Sequence, residues 1–505
     1  MSDQPVMPSS PYPFLSASKV LITGFLVLAL LGGAFLALSG PITGGLLIIL
    51  VIGISSVLSK TWLLFSGIFM ATVVMGLIQL YYPQFGFIRW ITPLITGLLL
   101  IHIFLERFQI KPTVFYIPLT LRCALLFMII ALFGASINWA GGWNFAQGIK
   151  LYLQIWGLFF GLALIKWDTK TLDRLLKFLF LIALIQFPFV LHQYFVVVPE
   201  REGLWRHSIV ALDVVAGTFG ADYFGGGKNM VLSTYLITIL AGVSALWREK
   251  AIKGYVLLFA SPFLLAPLFL NETKFALIIL LISLIYVFRS DLLQKPSRFL
   301  MLVLIGSILT FGLLTTYAHS FGQDRSLMET IIFAIESNVE DQGYSGRELN
   351  RATVLSFWTQ QHGIDNVSEA ILGHGLGAAH ESSESILSSV TSLASSRYDG
   401  YGIGLTSISS LLWDTGLLGT IVIIAMFISA FIAARNLGKH FIDDPWRVGI
   451  FEGMQVAVLV NALLLLHNNY FVIDAVYQTL VYFVFGYIAF WTIRVAEQQP
   501  VPMQR

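Results

Sequence analysis

The sequence predicts an all-α polytopic membrane protein of about 14 transmembrane helices (12–14), with one large outer loop that itself contains helices. Three observations predict it. Apolar residues make up 57% of the 505 residues and charged residues 11%, with a mean hydropathy of +0.80, whereas soluble domains carry roughly 25% charge. Apolar runs of about 20 residues recur along the chain. Lys and Arg collect in alternate connections between those runs.

The apolar runs place spans at 20–38, 43–58, 61–82, 90–107, 114–137, 146–166, 174–197, 229–247, 252–270, 273–289, 299–316, 404–434, 446–467 and 470–494. The segment 1–19 is polar and Pro-rich and reads as a cytoplasmic tail; no short cleavable signal follows it. Residues 20–316 read as a membrane domain that carries an outer loop at 198–228. Residues 317–403 read as a large periplasmic loop, 404–494 as C-terminal transmembrane helices, and 495–505 as a second cytoplasmic tail. The single cysteine, Cys123, excludes an intramolecular disulfide and a cysteine-based zinc site. A net charge of +2 gives no reason to expect nucleic acid as a partner; the partner that composition demands is the lipid bilayer.

With both termini in the cytoplasm, the short outer connections hold few positive charges and most short inner ones hold several, as the positive-inside rule requires. The loops 198–228 and 317–403 break this pattern. They carry Arg201, Arg206, Lys228, Arg325, Arg347, Arg351 and Arg397. Cations on the outer face oppose the topological rule, so an anion is the expected compensation.

Within the long loop a helix is expected at 345–361, opened by a capping box of Ser345 and Glu348. Arg347 and Arg351 then share a face, and Trp358 lies seven residues beyond Arg351. Two guanidinium forks at that spacing suit a diphosphate, and Trp358 suits a sugar face; a solvated helix neutralised by Glu340 or Glu348 is the competing reading. Gly373, Gly375 and Gly377 permit a tight turn that presents backbone N–H groups. His374, His380 and Glu381 supply general acid and base chemistry, or are simply polar loop residues. In the short loop, Arg201, Trp205, Arg206 and His207 repeat the mixture of cation and aromatic. Lys228 follows a glycine run at the start of a helix, where anions bind. Lys274 lies near an outer end, where it either contacts an anion or snorkels. Asp414, ten residues into a span, must be paired, protonated or wet. His467 and Asp474 lie at an outer turn that can join the same pocket. No outer segment holds a His/Asp/Glu cluster at metal-ligand spacing, so no metal is expected.

These features together resemble the O-antigen polymerase and O-antigen ligase superfamily of bacterial membrane glycosyltransferases. The resemblance covers about 200–420. It rests on Arg347, Arg351 and Trp358, then Gly373, Gly375 and Gly377, then Asp414 ahead of Gly416–Gly419, with the earlier "GTFG…GGKN" before a span. It implies a C-type glycosyltransferase-like fold and a multi-pass protein of the bacterial inner membrane. Donor and acceptor would be glycans on undecaprenyl diphosphate, with no cofactor or metal and a chain-length regulator as a further partner. Arg347, Arg351, His380, Glu381 and Asp414 would be catalytic. Arg201, Arg206, Lys228, Lys274, Trp358 and the three glycines would bind substrate. The product would be O-antigen, capsule or exopolysaccharide. Counting nine residues back from Asp414 reaches Leu405, where ligases commonly hold a His-Asn pair, which favours a polymerase. A ligase that passes glycan to lipid A-core, and a lipid-linked oligosaccharide flippase, remain the alternatives.

Overall fold

In the computed structural model, residues 59–108, 116–139, 142–202, 211–223, 225–271, 273–294, 348–362, 366–380 and 393–498 are described, with isolated helical positions between 297 and 312. The chain divides into two units, Met1–Leu63 and Leu64–Arg505. Residues 59–63 are all that is described of the first.

No strand is present among the described residues; Ala221 and Gly227 form an isolated bridge. Eight described helices are long and apolar enough to cross a membrane: α1 Lys60–Tyr81, α2 Pro83–Glu106, α3 Leu119–Ile137, α6 Thr169–Arg201, α7 Asn229–Arg248, α13 Ser407–His440, α14 Pro445–Leu464 and α16 Ala475–Gln498. Between them lie α4 Gly142–Leu153, α5 Trp156–Leu164, α8 Gly254–Leu270 and α9 Lys274–Gln294. The long loop contributes α10 Thr353–Gln361, α11 Val367–Leu372 and α12 Leu393–Arg397, and α15 Tyr470–Ile473 forms a single turn before α16. The spans expected at 20–38 and 43–58 lie outside the described residues, as does most of 299–316.

Local chemistry explains several boundaries. Thr406 caps α13 by accepting from Ser409 N–H at 3.1 Å. Asp444 caps α14 by accepting from Arg447 N–H at 3.2 Å, and Pro445 follows at the first helical position. Large apolar side chains such as Phe104, Ile129, Phe133, Leu258 and Phe259 point outward. In water such a surface would be a liability; against lipid it is the favourable side.

The span expected over 146–166 is a correction: it is two helices, broken at Gln154 and Ile155. The break is compensated by Gln478 on α16, whose Nε2 donates to Leu151 O at 2.7 Å. A side chain that enters the helical ladder is a recognised cause of such a break.

The short loop is not a plain surface connection. Its 217–219 turn inserts between α1 and α6, and amide side chains satisfy its backbone. Gln193 Oε1 accepts from Gly217 N–H at 2.7 Å and from Ala216 N–H at 3.1 Å, while Gln193 Nε2 donates to Gly217 O at 2.7 Å. Gln186 Oε1 accepts from Thr218 N–H at 2.8 Å, and Thr218 Oγ1 donates to Thr72 O at 2.5 Å. Both helices carry a π-turn here, at Met70–Val74 and Gln193–Val197. Irregular backbone at this depth persists only when protein groups replace water.

At the opposite end of the bundle, buried Glu452 on α14 accepts from Arg248 on α7 at 3.0 Å and from Arg289 on α9 at 2.6 Å. This network joins three helices far in sequence. The other end, the loop face, gathers 211–223, 225–228, 348–362, 366–380, 393–406 and 465–474.

Candidate functional site

The long loop has its own small core, where Trp358, Ala378, Ala379, Ala394, Ile403, Leu412 and Trp413 bury against one another. Its anchor is Asp414. That carboxylate is 1% exposed and accepts from Ala379 N–H at 2.7 Å, Gly377 N–H at 3.1 Å and Tyr152 Oη at 2.8 Å. The polar cost of an acid inside the span is met by these three donors.

The same interaction explains the glycines. Gly416 breaks α13 with φ +66, and Gly373 turns with φ +74. A Cβ on Gly373 would lie 2.5 Å from Asp414 O, and one on Gly416 would lie 2.6 Å from Gly373 N. Two chain segments therefore cross at backbone contact where only glycine fits. His374 N–H then donates to Trp413 O at 2.7 Å and Gly375 N–H to Asp414 O at 3.1 Å.

This corrects the expectation that Gly373, Gly375 and Gly377 offer N–H groups to an anion. Those three donors are spent on Glu369 O, Asp414 O and Asp414 Oδ2. The turn is a clasp onto α13. Asp414 is its anchor, and its oxygens face donors of this chain.

The helix expected at 345–361 begins at Thr353 instead. Asn350 rather than Ser345 organises its start. Asn350 Oδ1 accepts from Ala352 N–H at 3.0 Å and Thr353 N–H at 2.8 Å, and Thr353 Oγ1 accepts from Asn350 N–H at 2.7 Å. Arg351 thus sits in the turn before the helix, so the shared helical face proposed for Arg347 and Arg351 does not form. Arg347 lies outside the described residues, as do Arg206, Glu381 and the side chain of Lys274. Trp358 is corrected too: it is buried and stacks on His362 at 4.6 Å, so it offers no open face to a sugar.

Arg201 is fully buried, and its guanidinium donates to Ala211 O at 3.0 Å and Gly225 O at 2.7 Å. It closes the short loop rather than awaiting a ligand, which corrects its assignment to substrate binding. Lys228 pairs with Asp474 at 2.8 Å, both side chains largely buried. Nearby, Tyr470 Oη donates to Gly227 O at 3.0 Å. Burial raises the Asp213 carboxyl above the usual range, opposed by the charge of Arg201. Burial and the neighbouring Asp474 and Asp213 raise the Tyr470 phenol.

Arg351 and His380 converge on the same turn. Arg351 Nε donates to His467 O at 2.6 Å. The ring of His380 packs against Gly404, where an added Cβ would lie 3.0 Å from two ring atoms. Gly404 O in turn accepts from Asn469 Nδ2 at 2.9 Å. The 467–474 turn therefore gathers Arg351, Lys228, Asp474, Tyr470 and, through Gly404, His380. The one-dimensional signal for Asp213 was slight, a single polar residue in an apolar stretch, and Tyr470 merely ends the short polar run 467–469.

Burial pushes His380 down to about 4, and burial with the charge of Arg351 pushes His467 down to about 3. An unfolded histidine protonates near 6.5. Between about pH 6.5 and 4 the unfolded chain then binds more protons than the folded one, so stability falls as pH falls. We expect the melting temperature in detergent to be level above about pH 7.5 and to drop from pH 6.5 to 4.5. A His380→Gln variant should show a shallower drop; an unchanged slope would deny His380 its part.

A second cluster forms in space without metal-ligand spacing in the sequence. His362 Nε2 lies 3.0 Å from His374 Nε2, and His374 Nε2 lies 3.8 Å from Glu369 Oε2. The spacing, six residues and then four, matches no familiar motif, because the ligands come from a helix end, a short helix and a glycine turn.

No protein-family model matches the chain, and no curated protein matches it.

Proposed function

We propose that the chain is a membrane glycosyltransferase that polymerises glycan repeats carried on undecaprenyl diphosphate at the outer face of the bacterial inner membrane. One observation carries the reading: the turn that brings Lys228, Asp474 and Arg351 together lies one helical turn from an apolar groove. Val231 and Tyr477 line the groove, one turn along from Lys228 and Asp474. Leu176, Ile239, Met454 and Val484 continue it between α6, α7, α14 and α16 to Lys177 and Trp446 at the other end. A cationic mouth above a hydrocarbon-lined slot suits a diphosphate joined to a long isoprenoid tail.

In this reading Arg351, and Lys228 on exchange from Asp474, stabilise the charge that builds on the diphosphate as it leaves. The acceptor hydroxyl oxygen forms a bond to the anomeric carbon while the bond from that carbon to the phosphate oxygen breaks. The hydroxyl proton passes to a base. His380, neutral at pH 7, is the group suited to take it, with Asp213 as the other. Asp414 positions the loop. Arg347, Arg206, Lys274 and Glu381 would add to the mouth. Counting the spans expected outside the described residues, the bundle would reach about 14 crossings in a C-type arrangement, with both termini cytoplasmic.

The absence of a histidine at Leu405 favours polymerase over ligase. The groove argues against a flippase, because its lining is almost wholly apolar and a translocated sugar needs polar partners. Gel analysis of surface glycan in a deletion strain tests the assignment. Core carrying a single repeat supports the polymerase. Bare core with long chains left on the lipid carrier would replace it with the ligase. Loss of outward movement of single repeats would replace it with the flippase.

A further inference from the structure

The cluster at His362, Glu369 and His374 lies outside the turn that gathers Arg351 and Lys228, and the transferase reading makes no use of it. Its donor atoms all lie within 4.8 Å of one another. In a tetrahedral zinc site, bonds of about 2.0–2.1 Å put neighbouring donors roughly 3.3 Å apart. The two imidazole nitrogens, at 3.0 Å, are already near that separation. The carboxylate, 3.8 Å from His374 Nε2 and 35% exposed, completes the set.

The rings are also oriented as ligands are. His362 Nδ1 lies 2.9 Å from Trp358 O. A carbonyl there requires Nδ1 to carry the proton, so the Nε2 lone pair faces the cluster; this is the usual outer support of a metal-bound histidine. His362 stacks on Trp358 and His374 on Trp413, which fixes both ring planes. His374 is further held through its backbone by Trp413 O.

We propose that His362, Glu369 and His374 form a binding site for a divalent transition-metal ion of the zinc class, with one coordination position left open. Two nitrogen donors and one oxygen select zinc-class ions over magnesium or calcium, which take oxygen ligands. The ion would tie the end of α10 to α11 and to the glycine turn. Three protein ligands leave a fourth position for water or an anionic oxygen. The site does not depend on the transferase reading, so either can fail alone.

The test uses untagged full-length protein in detergent, stripped with a chelator, reloaded with Zn2+ and desalted. About one equivalent of zinc should remain by elemental analysis, and melting should shift upward on loading. Co2+ in its place should give the strong visible absorption of a low-symmetry site. His362→Asn and His374→Asn should lose the metal, and Glu369→Gln should weaken it. Should the histidine variants fail to fold, wild type and Glu369→Gln decide. Folded wild-type protein that retains no zinc and gives no cobalt spectrum overturns the site. So does a folded histidine variant that retains zinc as wild type does.

Discussion

Arg351→Ala is expected to cut glycan extension by about 100-fold or more, the usual effect of removing one preorganised charge-stabilising donor. The variant also loses the hydrogen bond from Arg351 Nε to His467 O, so folding is measured beside activity. Arg351→Lys should restore part of the activity, since the charge returns without the fork. Band patterns of surface glycan, read beside membrane levels and melting temperature, measure both quantities. Full-length glycan in Arg351→Ala would remove the diphosphate-binding role and with it the main support for the transferase.

The second large effect is on structure. Asp414→Ala would leave Tyr152 Oη and the N–H groups of Gly377 and Ala379 without their buried acceptor. Each such orphan costs about 1–3 kcal/mol, a large share of the roughly 5–15 kcal/mol that holds a typical domain. The glycine turn should detach from α13, and limited proteolysis should cut between 373 and 406 in the variant and not in wild type. Asp414→Asn keeps one oxygen, so it should be cut more slowly and retain much of its activity. An Asp414→Asn protein that is as resistant as wild type but inactive would make Asp414 the base and displace His380.

The membrane class was legible because it depends on composition summed over long windows. The runs at 61–82, 229–247 and 446–467 correspond to α1, α7 and α14 within a few residues. The run at 146–166 was misread because hydropathy carries no information on the Leu151 carbonyl borrowed by Gln478, a partner 327 residues away that only folding supplies. The polar content of 346–385 stands out in the sequence, yet its described parts take roles other than those expected. The glycines that suggested an anion cradle clasp a helix. Trp358, a candidate sugar platform, is core. Asp474 and His467, noted only for their place at an outer turn, meet Lys228 and Arg351.

The sequence by itself determined that this chain is helical, that its long apolar runs suit a bilayer, and that its unusual polar chemistry gathers in two loops. Those properties follow from local periodicity and from transfer free energies that add residue by residue. The tertiary structure alone decided which partner each cation meets, Ala211 O and Gly225 O for Arg201, Asp474 for Lys228 and His467 O for Arg351. It also drew His362, Glu369 and His374, which have no motif spacing, into one cluster. A buried donor takes whichever acceptor the packing brings within reach, and that choice is made between segments far apart in the chain.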